Sequence, residues 1–315
     1  MRKKRRSHLT VAALSVVALL ATACGGDTGG GDPGAGGGVE GPTITVGTVD
    51  FAENRILGQI YGQALEHAGY DVEITENIGN RELVAPQLED GNLDLIVEYT
   101  GNALRFERGG EDVEIRDEQE VYDALNEAYA DKGLTALRMS EAQDVDAVVV
   151  TKETAEEHGL ERISDIAGFE GTFRFGGGPE CETRLSCFKG LEEVYGLDNV
   201  EFVPLDVAGP ITVEALKSGE VDGANLFTTQ SAIVANDFVV LEDDQQLQLP
   251  QNIVPVIRQE IVDAYGDDLV SLINEITTSL TTESLTELNA KVEIDQEDPD
   301  AVAEQWLREN GFLEE

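Results

Sequence analysis

Two stretches, one in each half of the chain, place an aromatic directly before a threonine behind a short apolar run: Tyr99-Thr100 and Phe227-Thr228. The match extends backwards without gaps, pairing Leu88, Gly91 and Asp94 with Leu216, Gly219 and Asp222. Each copy reads as a helix end, a glycine turn, a buried strand, and then an aromatic and a small polar group at the strand's carboxyl end. Ligands of open α/β sheets bind just beyond such ends. Two units of this kind imply two similar lobes, each offering an aromatic to a shared cleft. A common βα turn would produce the same five matches without any shared cleft, and Tyr99 reads either as a ligand contact or as the cap of a core.

Other polar residues fall where the same logic directs them. Asn80, Arg81, Asn102, Thr228 and Gln230 follow strand ends and are candidates to donate to a ligand. Asp146 precedes Ala147 and three valines. An unpaired carboxylate buried in such a run is costly, so Asp146 is either solvent-facing or set opposite a cation. Arg184 stands between Cys181 and Cys187 and reads either as a ligand contact or as a surface residue paired with Glu180 or Glu192.

Catalytic chemistry finds little support. The chain has no GxSxG, no HExxH and no histidine near a plausible nucleophile. With 63 Asp and Glu, a pair of nearby carboxylates carries no information about glycosidase chemistry. Gly176-Gly177-Gly178 lacks the lysine and spacing of a phosphate loop and reads as a tight turn. The histidines are His8, His67 and His158, none with a partner at metal-ligand spacing. No metal or cofactor is expected. A secreted enzyme is therefore disfavoured, and an adhesion or structural module does not suit the alternation described next.

Short β-rich runs alternate with amphipathic helical runs throughout the body. Strands are predicted over residues 43–47, at Val72 and Ile74, and over 93–97, 147–150, 173–176, 202–205, 221–226 and 253–257. A helix begins at Glu53, with Ile56, Leu57, Ile60, Tyr61, Ala64, Leu65 and Ala68 at helical spacing and Gly69 as its stop. Further helical segments cover 83–88, 117–132, 259–280, 283–292 and 299–311. This is the pattern of an α/β protein with mostly parallel sheets. Its length suits two lobes: residues 42–145 begin the first, 146–251 form the second, and 252–315 return to the first. The crossings fall near Val145 and Gln251.

The N-terminus carries Arg2 to Arg6, an apolar run over 9–20, and then small residues ending at Cys24, the layout of an export signal over residues 1–23. The run is too short to span a membrane, which needs ~20 residues. Leu20-Ala21-Thr22-Ala23-Cys24 resembles a bacterial lipobox, with Ala21 where leucine is usual, so Cys24 is the expected lipidation site; the alternative is an ordinary signal cleaved near Ala23. Residues 24–41 are a glycine-rich tether. Cys181 and Cys187 then remain as an even pair in an oxidising exterior, where a disulfide is expected. The formal net charge of −42 argues against nucleic acid and suits a high-salt habitat that screens self-repulsion.

ITVGTVDFAENRILGQIYGQAL (44–65), GNLDLIVEYTGN (91–102), the stretch from Arg184 to GLEEVYG, and VEALKSGEVD followed by VVLEDD resemble the substrate-binding proteins of osmoprotectant ABC importers. The resemblance covers nearly all of 43–315, and EYTG is its most specific part. It implies a type II periplasmic-binding-protein fold, two α/β lobes with a ligand cleft between them. It also implies a monomer, extracytoplasmic and lipid-anchored, that hands a compatible solute such as glycine betaine, choline or carnitine to separate permease and ATPase subunits. The same fold binding another small amine, amino acid or neutral ligand is the alternative. Members that prefer betaine or choline hold the trimethylammonium head in a box of tyrosines, since a quaternary ammonium has no N–H to donate and aromatic faces attract it. Tyr99 matches one box tyrosine, Arg184 matches the arginine that grips a carboxylate, and Phe227 stands where a tyrosine is common. Asp146 and Val213 replace two other box tyrosines, and Val49 replaces a lysine.

Overall fold

Apolar residues recurring at the helical period build the first crossover unit. In the computed structural model, which describes residues 38–314, β1 (Ile44–Gly47) and β2 (Val72–Thr75) are parallel neighbours. They are joined by α1 (Ala52–His67), whose Ile56, Leu57, Ile60, Tyr61, Ala64 and Leu65 are all buried. The helix presents one apolar stripe to the sheet, as a 3.6-residue period requires. The segments expected as export signal, lipidation site and, for the most part, tether lie outside the described residues.

The chain continues through α2 (Arg81–Glu89), β3 (Leu95–Tyr99), α3 (Thr100–Glu107), α4 (Glu118–Ala130) and β4 (Leu134–Ala136). It then crosses into β5 (Asp146–Val150), α5 (Lys152–His158), β6 (Phe173–Gly177), α6 (Phe188–Glu193) and β7 (Val200–Pro204). Next come α7 (Pro210–Ser218), β8 (Gly223–Phe227), α8 (Ser231–Ala235) and β9 (Val239–Val240). A second crossing leads to β10 (Ile253–Arg258), α9 (Gln259–Tyr265), α10 (Asp267–Ser279), α11 (Thr282–Glu293) and α12 (Pro299–Glu309).

Two five-stranded sheets result, ordered β2-β1-β3-β10-β4 and β7-β6-β8-β5-β9. They share one topology, with β6, β7, β8, β5 and β9 in the places of β1, β2, β3, β10 and β4. The expectation of mostly parallel sheets is corrected. Each sheet has two parallel and two antiparallel pairings, because the strand that enters from the other lobe runs against its neighbours. Buried apolar clusters cover both faces of each sheet.

The five echoed positions are equivalent in space. Asp94 N donates to Thr45 O at 2.8 Å and its carboxylate accepts from Thr45 N at 2.9 Å; Asp222 makes the same pair of bonds with Arg174, at 2.8 and 2.9 Å. Each aspartate therefore closes the start of a ladder, and the strands begin at Leu95 and Gly223, two residues later than expected. Gly91 and Gly219 both adopt positive φ, 75° and 73°. The segment expected as helical over 259–280 is divided by Gly266, at φ 73°, a conformation that glycine adopts without steric cost.

The crossings run side by side, tied by an isolated bridge between Gln143 and Asn252. Gly101 packs beneath them: a Cβ there would meet Pro250 O at 2.6 Å and Leu249 Cβ at 2.5 Å. Its neighbour Thr100 accepts from Asn252 N at 3.1 Å and donates to Pro250 O at 3.0 Å.

Candidate functional site

β3 and β8 both end in aromatics facing a cavity of about 250 Å³ that is lined from both sheets. Its walls carry three aromatics, Phe51, Tyr99 and Phe227. They also carry five acids, Asp50, Glu98, Asp144, Asp146 and Glu180, against two arginines, Arg81 and Arg184. The Phe51 ring lies 6.0 Å from Tyr99 and 5.2 Å from Phe227, centroid to centroid, within the usual range for interacting aromatic pairs.

Tyr99 is held by its polar end. Its hydroxyl donates to Glu53 Oε1 at 2.9 Å, and Glu53 Oε2 accepts from Thr229 Oγ1 at 2.6 Å and Asn289 Nδ2 at 2.8 Å. Thus one carboxylate on α1 ties the cleft tyrosine, the turn after β8 and helix α11 together. Burial pushes the Glu53 pKa up, and these hydrogen bonds pull it back. Asp144, accepting from Thr229 N at 3.1 Å, is raised well above its ordinary range by burial, with the Glu53 charge adding to the effect.

Both cleft arginines are already partnered. Arg81 makes a fork to Glu98, with Nε at 2.9 and 3.0 Å and Nη2 at 2.7 Å. Arg184 reaches across the cleft to Glu82 on α2, with Nη2 at 2.8 Å, and stands 4.0 Å from Glu180. The disulfide joining Cys181 and Cys187 closes the loop that carries it. Asp146, half-buried in the cleft wall, accepts from Asn102 Nδ2 at 2.7 Å and Asn225 Nδ2 at 3.1 Å; these two neutral amides, one from each lobe, orient the carboxylate without cancelling its charge.

Asn80, Arg81, Tyr99, Asn102, Asp146, Arg184 and Phe227 all line the cleft. Thr228 does not: its hydroxyl accepts from Val145 N at 2.9 Å and its N–H donates to Val145 O at 3.0 Å. It clasps the first crossing as Thr100 clasps the second. The threonine of the echo is thus a hinge clasp in both copies, because a residue just past the strand end meets the crossing segment first. Gln230 turns inward, accepting from Phe227 N at 3.0 Å, and Val213 lines a different cavity. Phe51, Glu53 and Asp144 were missed. Phe51 follows the carboxyl end of β1, the same rule that found Tyr99; Glu53 and Asp144 are far apart in sequence, and no local pattern links them.

Residues 42–309 match the family described as the substrate binding domain of ABC-type glycine betaine transport systems. A glycine-betaine-binding protein of Pseudomonas aeruginosa is 29% identical over 89% of this chain and 91% of its own length. The glycine betaine-binding protein YehZ of Escherichia coli is 24% identical over 85% and 91%. Among solved structures, that of a glycine betaine/carnitine/choline ABC transporter protein superposes with a TM-score of 0.68 at 24% identity, covering 86% of this chain and all of that one, and shares the two-lobed fold. Taken with the paired sheets and their interlobe cleft, the match over 42–309 shows that this chain belongs to the family of substrate binding domains of ABC-type glycine betaine transport systems.

Proposed function

We propose that the cleft captures a cationic or zwitterionic compatible solute bearing a trimethylammonium group, of the glycine betaine, choline or carnitine type. The observation that carries this reading is the meeting of Phe51, Tyr99 and Phe227 with the Asp146 carboxylate around one cavity. Aromatic faces attract a quaternary ammonium by ~0.5–2 kcal/mol each, and the acidic surplus adds an attraction that a neutral solute cannot use. A solute that touches both lobes binds the closed arrangement better than the open one and shifts the equilibrium toward it. Outside the cytoplasmic membrane the loaded protein then presents the solute to the permease, which works with separate ATPase subunits.

Calorimetric titration of glycine betaine, choline, carnitine, ectoine and proline tests the reading. Tight binding of a neutral compound that survives Tyr99→Ala and Asp146→Ala overturns it. A protonated amine is the second candidate, because Asn80 Oδ1 is a buried acceptor in the cleft wall without a partner among the described residues. An amine N–H can satisfy that oxygen; a trimethylammonium cannot.

We further propose anchoring by lipid at Cys24, supported by the lipobox-like segment and the glycine-rich tether that follows it. Among the described residues no helix is long and apolar enough to cross a membrane. Cys24→Ser should release the protein from the membrane fraction, and unchanged association would refute the anchor.

A further inference from the structure

We propose that a second cavity, on the seam beside the cleft, is an anion site in which Arg105 receives a carboxylate or a small inorganic anion. This cavity of about 310 Å³ shares Arg81, Asn102 and Arg184 with the solute cleft. Its walls come from both halves: α3 with Gly109 and Gly110 on one side, and the disulfide loop with Thr183 and Ser186 on the other. The whole chain has 21 Lys and Arg against 63 Asp and Glu, yet three arginines converge here and Glu82 is the one acid in the lining.

Two of these arginines are occupied, Arg81 by Glu98 and Arg184 by Glu82. Arg105 differs. It is 4% exposed, and only its Nη2 is bonded, to Leu247 O at 2.5 Å and Asp112 Oδ1 at 3.3 Å. Its Nε and Nη1 have no acceptor among the described residues. Asp112 is half exposed, so solvent screens its charge and it neutralises the guanidinium weakly. Burial pulls the Arg105 pKa below its ordinary value, with Asp112 opposing. A buried cation short of acceptors is a costly arrangement, and an anion in the adjoining cavity relieves it. Because the walls belong to both halves, an anion there also favours the lobe arrangement seen here.

The anion has two possible sources: the carboxylate of a solute already in the cleft, or a free anion from a saline medium. Chloride-35 line broadening by the folded, non-lipidated protein reads the site directly, whatever the cleft binds. Excess linewidth that acetate competes away, and that is lost in R105Q at unchanged melting temperature, is the expected result. T183E, at an exposed rim position, should abolish the broadening by supplying a resident carboxylate, and it decides the matter if R105Q does not fold. Displacement of chloride by glycine betaine but not by choline assigns the site to the solute's carboxylate; displacement by neither assigns it to a free anion. No excess linewidth in the native protein, or linewidth that persists in both variants, overturns the proposal.

Discussion

The two sheets have the same strand order, yet their surroundings differ. The first is packed under α1, α10, α11 and α12, of 16, 13, 12 and 11 residues, and these bring Trp306 and a continuous run of leucines and isoleucines into one core. The second is flanked by α5, α6, α7 and α8, of 7, 6, 9 and 5 residues, too short to be stable on helical propensity, and its core includes the Cys181–Cys187 disulfide. The cleft inherits the same asymmetry. Tyr99 is fixed through its hydroxyl to a buried carboxylate, whereas Phe227 has no polar handle and is placed by packing and strand register alone. A shared topology thus specifies where an aromatic stands, while the local supports decide how firmly it is held.

The largest expected effect tests the echoed aspartates. Asp94 is nearly buried and bonds both Thr45 N and the Arg258 guanidinium, at 2.9 and 3.0 Å; the partner of Asp222, Arg174, is 41% exposed. Removing one member of a buried pair costs about 3 kcal/mol or more, so Asp94→Ala should lower stability by about 3 kcal/mol. Asp222→Ala should cost about 1 kcal/mol, closer to an exposed pair. Equal losses in urea unfolding would show that the two halves are supported alike.

Next comes the disulfide. Closing so short a loop contributes about 2 kcal/mol by its effect on the unfolded chain. The Cys181→Ser, Cys187→Ser double variant should lose that amount, with faster amide exchange confined to the second sheet and its helices. Exchange that quickens equally in both sheets would remove the distinction between a helix-supported and a disulfide-supported half.

The aromatics sharpen the comparison within the cleft. Tyr99→Ala should weaken a trimethylammonium ligand by about 1.4 kcal/mol, roughly tenfold, and Phe227→Ala by roughly half that energy, near threefold. Tyr99→Phe, which keeps the ring and frees Glu53, should fall between them. If Phe227→Ala proves the more damaging in calorimetry, the tethered ring is not the principal contact.

The smallest effect is a pH dependence. Burial raises the Glu53 pKa above 4.5, so the folded protein holds a proton that the unfolded chain releases. This contribution to stability is complete below pH about 4.5, the unfolded value, and is lost as pH rises through the raised folded value. E53Q cannot ionise and keeps an acceptor for the Tyr99 hydroxyl. Its stability relative to the native protein should therefore climb as pH rises above about 4.5 in paired thermal melts. A difference that stays flat would place Glu53 in the ordinary carboxylate range.

Much of this architecture was legible in the amino-acid order, because its determinants are local. Periodicity of 3.6 marked α1 and the C-terminal helices, and the spacing from Leu88 to Tyr99 and from Leu216 to Phe227 marked a repeated glycine turn, strand and terminal aromatic. Those signals lie within about a dozen residues and depend on backbone conformation and side-chain alternation alone. Strand direction was not local: β5 and β10 run antiparallel to their neighbours because the chain enters each sheet from the opposite lobe.

The site divides along the same line. Residue type and strand ends pointed to Tyr99, Phe227, Asn102 and Arg81, which the fold does bring to one cavity. How each charged group is held is a question of partners 44 to 176 positions away: Asp146 with Asn102, Arg184 with Glu82, and Glu53 with Thr229. Each of these bonds exists only once the two sheets face one another. Hydrogen bonds act over about 3 Å, and exposed charges are screened beyond about 10 Å. The chain's order therefore determined which groups could bind a cation, and only the packing of one lobe on the other decided which of them were left to do so.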